Sequence, residues 1–117
     1  MPTSTAELPR ALAALADDTR WLIVQRLGTS PASASALARE LPVTRQAIAK
    51  HLEVLADSGL VDARTVGREL RYAVVVGRVA EVGDDLRAIA AGWQRRLERI
   101  KELAEADDQR AEQPPHP

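Results

Sequence analysis

A short run beginning at Thr44 combines side chains that can read the edges of DNA bases. Arg45 can bond a guanine edge bidentately, and Gln46 can pair with adenine. Ala49 is small enough for close approach and can touch a thymine methyl. Thr44 can donate to a phosphate, and Lys50 suits a phosphate because its ammonium is a point charge without a planar fork. This run therefore predicts contact with duplex DNA.

Three arginines follow in a segment with the alternating pattern of β-strands. Arg64 and Arg71 belong to the β-prone runs VDARTV and LRYAVVV, and Arg68 lies at the tip between them. Tyr72 and Val74 are expected to face the core. Three arginines on a thin hairpin favour phosphate or minor-groove contact, because clustered like charges are costly without an anionic partner. The alternative is a solvated face with Glu69 as a local ion-pair partner.

Two short helices must position the DNA-contacting run. Ser33 can cap the first of them, ASALAREL, which ends before Pro42, and we count Ser33 among the candidate DNA contacts. Thr44 caps the second helix, and Gly59 supplies its left-handed end. The buried row of this helix is predicted to be Ile48, Leu52 and Leu55. A helix, a tight turn and a second helix form the geometry that presents the second helix to a major groove.

Two further helices precede this unit. The first, from Pro9 to Ala16, carries leucines at helical spacing: Leu8, Leu12 and Leu15. Asp17 caps the second, which runs to Leu27 and stops at Gly28. Trp21 shares a face with Val24 and Leu27, so we expect it in the core rather than at a ligand or partner contact.

A long amphipathic helix is predicted from about Val79 to about Ala106. Its apolar positions lie three or four residues apart: Val82, Leu86, Ile89, Trp93, Leu97, Ile100 and Leu103. A stripe of about 28 residues, roughly 40 Å long, exceeds what a core of this size can cover, so we expect a partner to bury part of it. Trp93 is expected in that interface or the core, with an effector pocket as the alternative.

These segments resemble the ArsR/SmtB family of winged-helix transcription regulators. The resemblance covers residues 8 to about 104 through LADDTRWLIVQRL, ALARELPVTRQAIAKHLEVLADSGLV and GRELRY. The second block is the most specific part, because it resembles the family's recognition helix and its exit into the wing. Ala49 stands where many members have serine, so one hydroxyl contact to DNA is absent.

The resemblance implies a homodimer that is formed by the first and last helices. Its two recognition helices would face successive major grooves of an inverted repeat, as expected of a repressor that competes with polymerase at a promoter, including its own. The candidate interface residues are Leu8, Leu12, Leu15, Leu86, Ile89, Trp93, Leu97 and Ile100.

Metal sensing does not match the residues present. Many relatives use cysteines before the turn or paired Asp and His ligands on the last helix, and this chain has no cysteine and only two histidines, His51 and His116. Asp84 and Asp85 are expected to be solvated rather than to hold a hard cation. We expect no metal and no cofactor, and regulation either without a ligand or through a small organic molecule or a protein. His51 lacks a nucleophile beside it, so packing or phosphate contact is the favoured role.

Composition sets the fold class. The hydrophobic fraction of 45% suits one core, and the lack of phenylalanine favours helices packed through small residues. We predict a mainly α protein with a small β-hairpin, a winged helix-turn-helix in the order α-α-α-α-β-β-α. Residues 1–7 are predicted to be a flexible N-terminus, 8–106 the domain and 107–117 a disordered tail.

Although the formal net charge is −1, basic and acidic residues are unevenly distributed along the chain. Residues 18–78 carry nine Lys and Arg against six Asp and Glu, whereas residues 79–117 carry six against nine. A basic centre favours duplex DNA, and the rival hypothesis is a winged-helix module that contacts protein or RNA. For DNA, the cations at 45, 50, 64, 68 and 71 should converge on one face. We expect a cytoplasmic protein with no membrane partner, and no enzyme motif is present.

Overall fold

Side-chain caps determine where three of the helices begin. The computed structural model describes residues 7–112, with helices α1 Glu7–Leu15, α2 Asp18–Leu27, α3 Ala34–Glu40, α4 Arg45–Asp57 and α5 Val76–Glu112. The carboxylate of Asp17 accepts from the Arg20 amide at 3.0 Å, and the Ser33 hydroxyl accepts from the Ala36 amide at 3.1 Å. The Thr44 hydroxyl accepts from the Ala47 amide at 3.2 Å. All three predicted caps are confirmed.

Three antiparallel strands form the sheet in the order β1-β3-β2. The strands are β1 Ala32–Ser33, β2 Val61–Val66 and β3 Glu69–Val74. The predicted hairpin is confirmed, with Val66 opposite Glu69 across its turn. The sequence predicted only the hairpin as β-structure, so the third strand was not expected; its Ala32 pairs with Tyr72. A strand of two residues is too short to show a period of two, so the sequence does not reveal it.

The core lies where the helices pack against the base of the hairpin. Its buried apolar residues are Ala11, Ala14, Ile23, Leu27, Ala32, Leu37, Ile48, Leu52, Leu55, Leu60, Val61 and Val82. The predicted buried row of α4 is confirmed. Gly59 adopts a φ of 79°, which allows the chain to leave α4 and bury Leu60 at once.

Trp21 is not in the core, which corrects the prediction. Its side chain is 48% exposed, whereas Ile23 is fully buried and Leu27 is nearly so. Ile23 and Leu27 are four residues apart and share a face, and Trp21 is two residues before Ile23, about 200° away around the helix. The buried face of α2 therefore turns Trp21 outward.

An ion pair joins the ends of α2 and α3. Arg26 donates through Nε and Nη2 to the two carboxylate oxygens of Glu40, and its Nη1 donates to the Ser30 carbonyl at 3.0 Å. The hydrogen bonds from Arg26 hold the pKa of Glu40 below its usual range and raise the pKa of Arg26. This contact fixes α3 relative to α2 and thereby helps to set the position of α4.

The described chain forms two compact units, the first ending at Gly83 and the second beginning at Asp84. The first unit contains the core and the sheet. The second is the remainder of α5, which continues to Glu112 and not to the predicted end near Ala106. No proline or glycine interrupts residues 107–112, so nothing in their sequence stops the helix.

The terminal predictions fall only partly within the described residues. Glu7 belongs to α1, and residues 107–112 are helical where a disordered tail was predicted. Residues 1–6 and 113–117 lie outside the described range, so the predicted N-terminus and the final QPPHP are untested, and the domain bounds stay predictions. Across 7–112, no helix is long and apolar enough to cross a membrane.

Candidate nucleic-acid interface

A tight turn joins α3 to α4. The Val43 amide donates to the Leu41 carbonyl at 2.8 Å, and the Leu41 amide donates to Leu37 at 2.9 Å. Leu41 and Val43 pack against the core, while Pro42 between them is exposed. These two apolar anchors fix the turn, and Thr44 then starts α4 with its hydroxyl.

The first turns of α4 expose the side chains that were predicted to contact DNA bases. Arg45, Gln46 and Ala49 are exposed, and Ile48 between them is fully buried. Burial of the Ile48 row fixes the rotation of α4 about its own axis, so the opposite face is held towards solvent. Lys50 is also exposed, one residue further around the helix.

The wing is the hairpin formed by β2 and β3. Its base is anchored to the rest of the fold, and its tip is exposed. Ser33 of β1 pairs with Arg71, and the Val75 amide donates to the Leu60 carbonyl at 2.9 Å. At the tip, Gly67 has a φ of 65° and provides the left-handed residue that the two-residue turn requires. Arg68 follows it in that turn, beyond the last strand residue of β2.

A cleft of about 360 Å³ lies between the exposed face of α4, the start of α3 and the wing. Its lining residues are Ser33, Ala34, Ser35, Arg45, Gln46, Ala49, Arg68, Glu69, Leu70 and Tyr72. The structure thus brings together five of the nine predicted DNA contacts, at positions 33, 45, 46, 49 and 68. Thr44 and Lys50 are exposed on α4 outside this lining.

Four cations of the predicted set have uncommitted side chains. Arg45, Lys50, Arg64 and Arg68 form no hydrogen bond or ion pair with any residue in the range 7–112. Other arginines of the chain do have carboxylate partners: Arg20, Arg26, Arg71, Arg78 and Arg87. The positive charge at the helix and wing is therefore available to an external anion.

Arg64 and Arg71 lie on the other face of the wing. They are direct partners in the β2–β3 register, and they line a separate groove away from α4. Successive side chains of a strand point to opposite faces, so Arg71 cannot share the face of Leu70 and Tyr72. The expectation that five cations converge on one face is therefore met by Arg45 and Arg68 and not by this pair.

Five residues of the cleft were not predicted to contact DNA: Ala34, Ser35, Glu69, Leu70 and Tyr72. Ser35 is two residues after the Ser33 cap, Leu70 is exposed near the tip, and Tyr72 is half-buried between the cleft and the core. The alternation of β3 was the available signal, because it assigns Leu70 and Tyr72 to one face. Tyr72 was predicted to face the core, and it does pack against the core while also lining the cleft.

His51, itself a residue of α4, faces Arg20 and Asp17 at the start of α2 and does not line the cleft. Its Nδ1 lies 3.4 Å from Arg20 Nη1 and 4.0 Å from Asp17 Oδ1. Arg20 also donates through Nε to the Ala14 carbonyl at 2.6 Å, so it ties α1, α2 and α4 together. The backbone hydrogen bond from Arg20 lowers the pKa of Asp17, and the charges of Arg20 and His51 contribute further. This geometry matches the packing role.

The predicted interface residues of α1 differ in exposure. Leu8 and Leu15 are half-buried against the core, which α1 enters through Ala11 and Ala14. Leu12 is exposed. The apolar surface that α1 leaves open is therefore smaller than its three leucines imply.

The predicted interface residues of α5 form an exposed stripe in the second unit. Its members are Leu86, Ile89, Trp93, Leu97 and Ile100, and Leu103 continues it. Trp93, Leu97 and Ile100 are each at least 60% exposed. Beside the stripe, Asp84 pairs with Arg87, and within residues 7–112 no three His, Cys, Asp or Glu side chains group as metal ligands.

Comparisons with known proteins agree with this geometry. Residues 15–64 match the model of a helix-turn-helix domain family. The HTH-type transcriptional regulator Rv2034 of Mycobacterium tuberculosis is 40% identical over 101 residues, which are 85% of this chain and 92% of that protein. An ArsR-like transcriptional regulator from Rhodococcus sp. RHA1, of solved structure, is 49% identical with a TM-score of 0.81, covering 85% of this chain and 93% of that one. The chain belongs to the ArsR family.

The name of another relative states a direction of regulation. The probable mercury resistance operon repressor of Streptomyces lividans is 32% identical over 96 aligned positions, and the match covers 75% of this chain and 77% of that protein. Membership of the ArsR family, together with the helix-turn-helix and wing, makes this chain a transcriptional regulator with a winged helix-turn-helix DNA-binding domain.

Proposed function

We propose that the chain is a homodimeric repressor that binds an inverted-repeat operator, including one in the DNA upstream of its own coding sequence. The observation that carries the proposal is the cleft lined by both Arg45 of α4 and Arg68 of the wing, neither of which has a partner among residues 7–112. A major groove admits one helix, and the wing beside that helix can reach the adjoining backbone or minor groove.

Each predicted DNA contact that lines the cleft has a proposed role. Arg45 bonds a guanine edge, Gln46 an adenine edge, and Ala49 contacts a thymine methyl. Arg68 contacts phosphate or the minor groove. Further contacts to the DNA backbone are proposed for Ser33, Thr44 and Lys50; Ser33 and Thr44 accept amide protons as caps and keep their hydroxyl hydrogens for donation.

Dimerisation is proposed from the stripe on α5. Trp93, Leu97 and Ile100 are large apolar side chains on a helix that has no core of its own beyond Asp84. Burying such side chains stabilises by about 1.5 to 3 kcal/mol each, so a second copy is a favourable cover. Leu12 is proposed to join the same interface. Two recognition helices would then meet half-sites about one helical turn apart.

Repression is proposed from the name of the Streptomyces lividans relative, a probable operon repressor. The metal named for that relative is not carried over, because this chain has no cysteine. A small organic molecule or a protein is the proposed kind of effector.

The test is fluorescence anisotropy of the purified full chain with a labelled duplex from its own upstream DNA. An unrelated duplex of equal length and a single-stranded RNA serve as comparisons. We expect tighter binding to the upstream duplex, with an affinity that falls steeply as salt rises. Failure on every duplex at low salt, or tighter binding to the RNA, would favour the interaction-module hypothesis.

A further inference from the structure

A second groove lies on the face of the wing that points away from the cleft. Its volume is about 410 Å³, which falls in the range of about 300 to 1,000 Å³ common for small-molecule sites. Its apolar wall includes Pro31, Val66 and Ala73. The charged side chains in its lining are Asp62, Arg64 and Arg71.

The two arginines of this groove lie close enough for their like charges to destabilise the sheet. Arg64 of β2 and Arg71 of β3 are direct cross-strand partners, and like charges in that position destabilise a sheet. Glu69 accepts from Arg71 Nε at 3.0 Å, which compensates one guanidinium. Arg64 has no partner among residues 7–112.

Donors remain free on both guanidinium groups. Arg71 uses only Nε in its bond to Glu69, so its two terminal nitrogens keep their hydrogens available. Arg64 keeps all five of its N–H groups. An anion between the two side chains would gain charge-assisted hydrogen bonds from both and would remove their mutual repulsion.

We propose that this groove binds a small monocarboxylate that carries an apolar chain. The carboxylate lies between Arg64 and Arg71, and the chain covers Val66, Ala73 and Pro31. Asp62 is two residues before Arg64 and so on the same face of β2. Its negative charge disfavours a second anionic group on the ligand, so the site selects monoanions. Binding of this anion is separate from DNA binding and can be measured without DNA.

The experiment is an NMR titration of the isotopically labelled full chain, without DNA, with hexanoate as the probe. We expect saturable shifts of amides in residues 62–66 and 71–75. Neutral 1-hexanol, with the same chain length, should give no saturable shift there. Adipate, with a second carboxylate, should bind at least threefold more weakly than hexanoate.

Variants assign the effect to the arginine pair. Arg64→Ala should weaken hexanoate at least tenfold, and Arg64→Lys should fall between Arg64→Ala and the wild type, because an ammonium keeps the charge without the fork. The matched control is Arg68→Ala, which removes an arginine from the other face of the same hairpin and should leave hexanoate binding unchanged. The amide spectrum of each variant reports whether it is folded.

Three results would overturn the proposal. Hexanoate binding that survives both Arg64 substitutions would show that the anion does not bind on this face of the wing. Shifts that are largest in residues 84–112 would assign the probe to the apolar stripe of α5. Absence of hexanoate binding, with Arg64→Ala lowering duplex affinity as much as Arg68→Ala does, would assign the pair to the DNA backbone.

Discussion

Arg45, in the first turn of α4, and Arg68, in the turn at the wing tip, line the same cleft although 23 positions separate them in the chain. Neither side chain has an internal partner within residues 7–112. A base-reading group and a backbone-contacting group are thus presented together, and they should respond differently to truncation.

Arg45→Ala should cost about 1 to 3 kcal/mol on the preferred duplex and relax the preference for one base pair, because a bidentate contact to a guanine is lost. Arg68→Ala should weaken all duplexes alike and lower the slope of affinity against salt by about one, because one phosphate contact is lost. Anisotropy titrations at several salt concentrations, on the preferred duplex and on single-base variants, measure both effects.

The control for this pair is Arg110→Ala, which removes an exposed arginine from the last turn of α5. Its duplex affinity should stay within twofold of the wild type. Wild-type behaviour of both Arg45→Ala and Arg68→Ala would show that the assigned groove geometry is wrong.

Leu97→Glu should convert the dimer to monomer and remove tight operator binding, because a carboxylate would enter the centre of the apolar stripe. Sedimentation equilibrium gives the mass. Ala91→Glu introduces the same group on the opposite side of α5, about 160° from Trp93, and should leave the mass unchanged. An unchanged sedimentation profile for Leu97→Glu would refute this interface.

Ile23→Ala should lower the free energy of unfolding by about 2 to 5 kcal/mol, because Ile23 is fully buried and its removal leaves a cavity. Trp21→Ala, two residues away, should cost much less despite the larger side chain, because Trp21 is half exposed. Urea denaturation of the two variants makes the comparison. A larger loss for Trp21→Ala would place the tryptophan in a core or in an interface that persists under the assay conditions.

Glu40→Gln should reduce stability at neutral pH, and the difference from the wild type should vanish in acid. The pKa of Glu40 is depressed by Arg26, so its contribution is complete above the unfolded value of 4.5 and is lost as the pH falls through the lower folded value. Urea midpoints from pH 7 to pH 3 test this.

The matched control is Glu53→Gln, since Glu53 is exposed on α4 and has no ion pair within residues 7–112. It should show no comparable loss at neutral pH. A difference between Glu40→Gln and the wild type that stays constant down to pH 3 would mean that the carboxylate charge does not contribute.

The sequence predicted the helices and their caps because these depend on local chemistry. Asp17, Ser33 and Thr44 each accept from an amide three residues later, and Ile48, Leu52 and Leu55 follow the helical period. Local sequence patterns do not predict pairing between residues that are far apart in the chain. Ala32 joins the sheet only because Tyr72, forty residues later, lies beside it.

The sequence predicted which residues belong to the candidate site but not which of them share one surface. Arg45, Gln46 and Ala49 of the predicted run do line one cleft together with the tip arginine, Arg68. The faces of the wing depend on the register, and the register puts Arg64 opposite Arg71 and away from Tyr72. The prediction that Trp21 is buried was wrong for a related reason. The buried face of α2 is the one that carries Ile23, and Trp21 lies about 200° away from it.

The most direct test compares two double variants of the same wing and helix on the upstream duplex. Arg45→Ala with Arg68→Ala empties the cleft of its arginines, and Arg64→Ala with Arg71→Ala removes an equal charge from the opposite face. We predict a loss of at least a hundredfold for the first pair and no more than threefold for the second. An unaffected first pair, or an equal loss for both, would contradict DNA binding through this cleft.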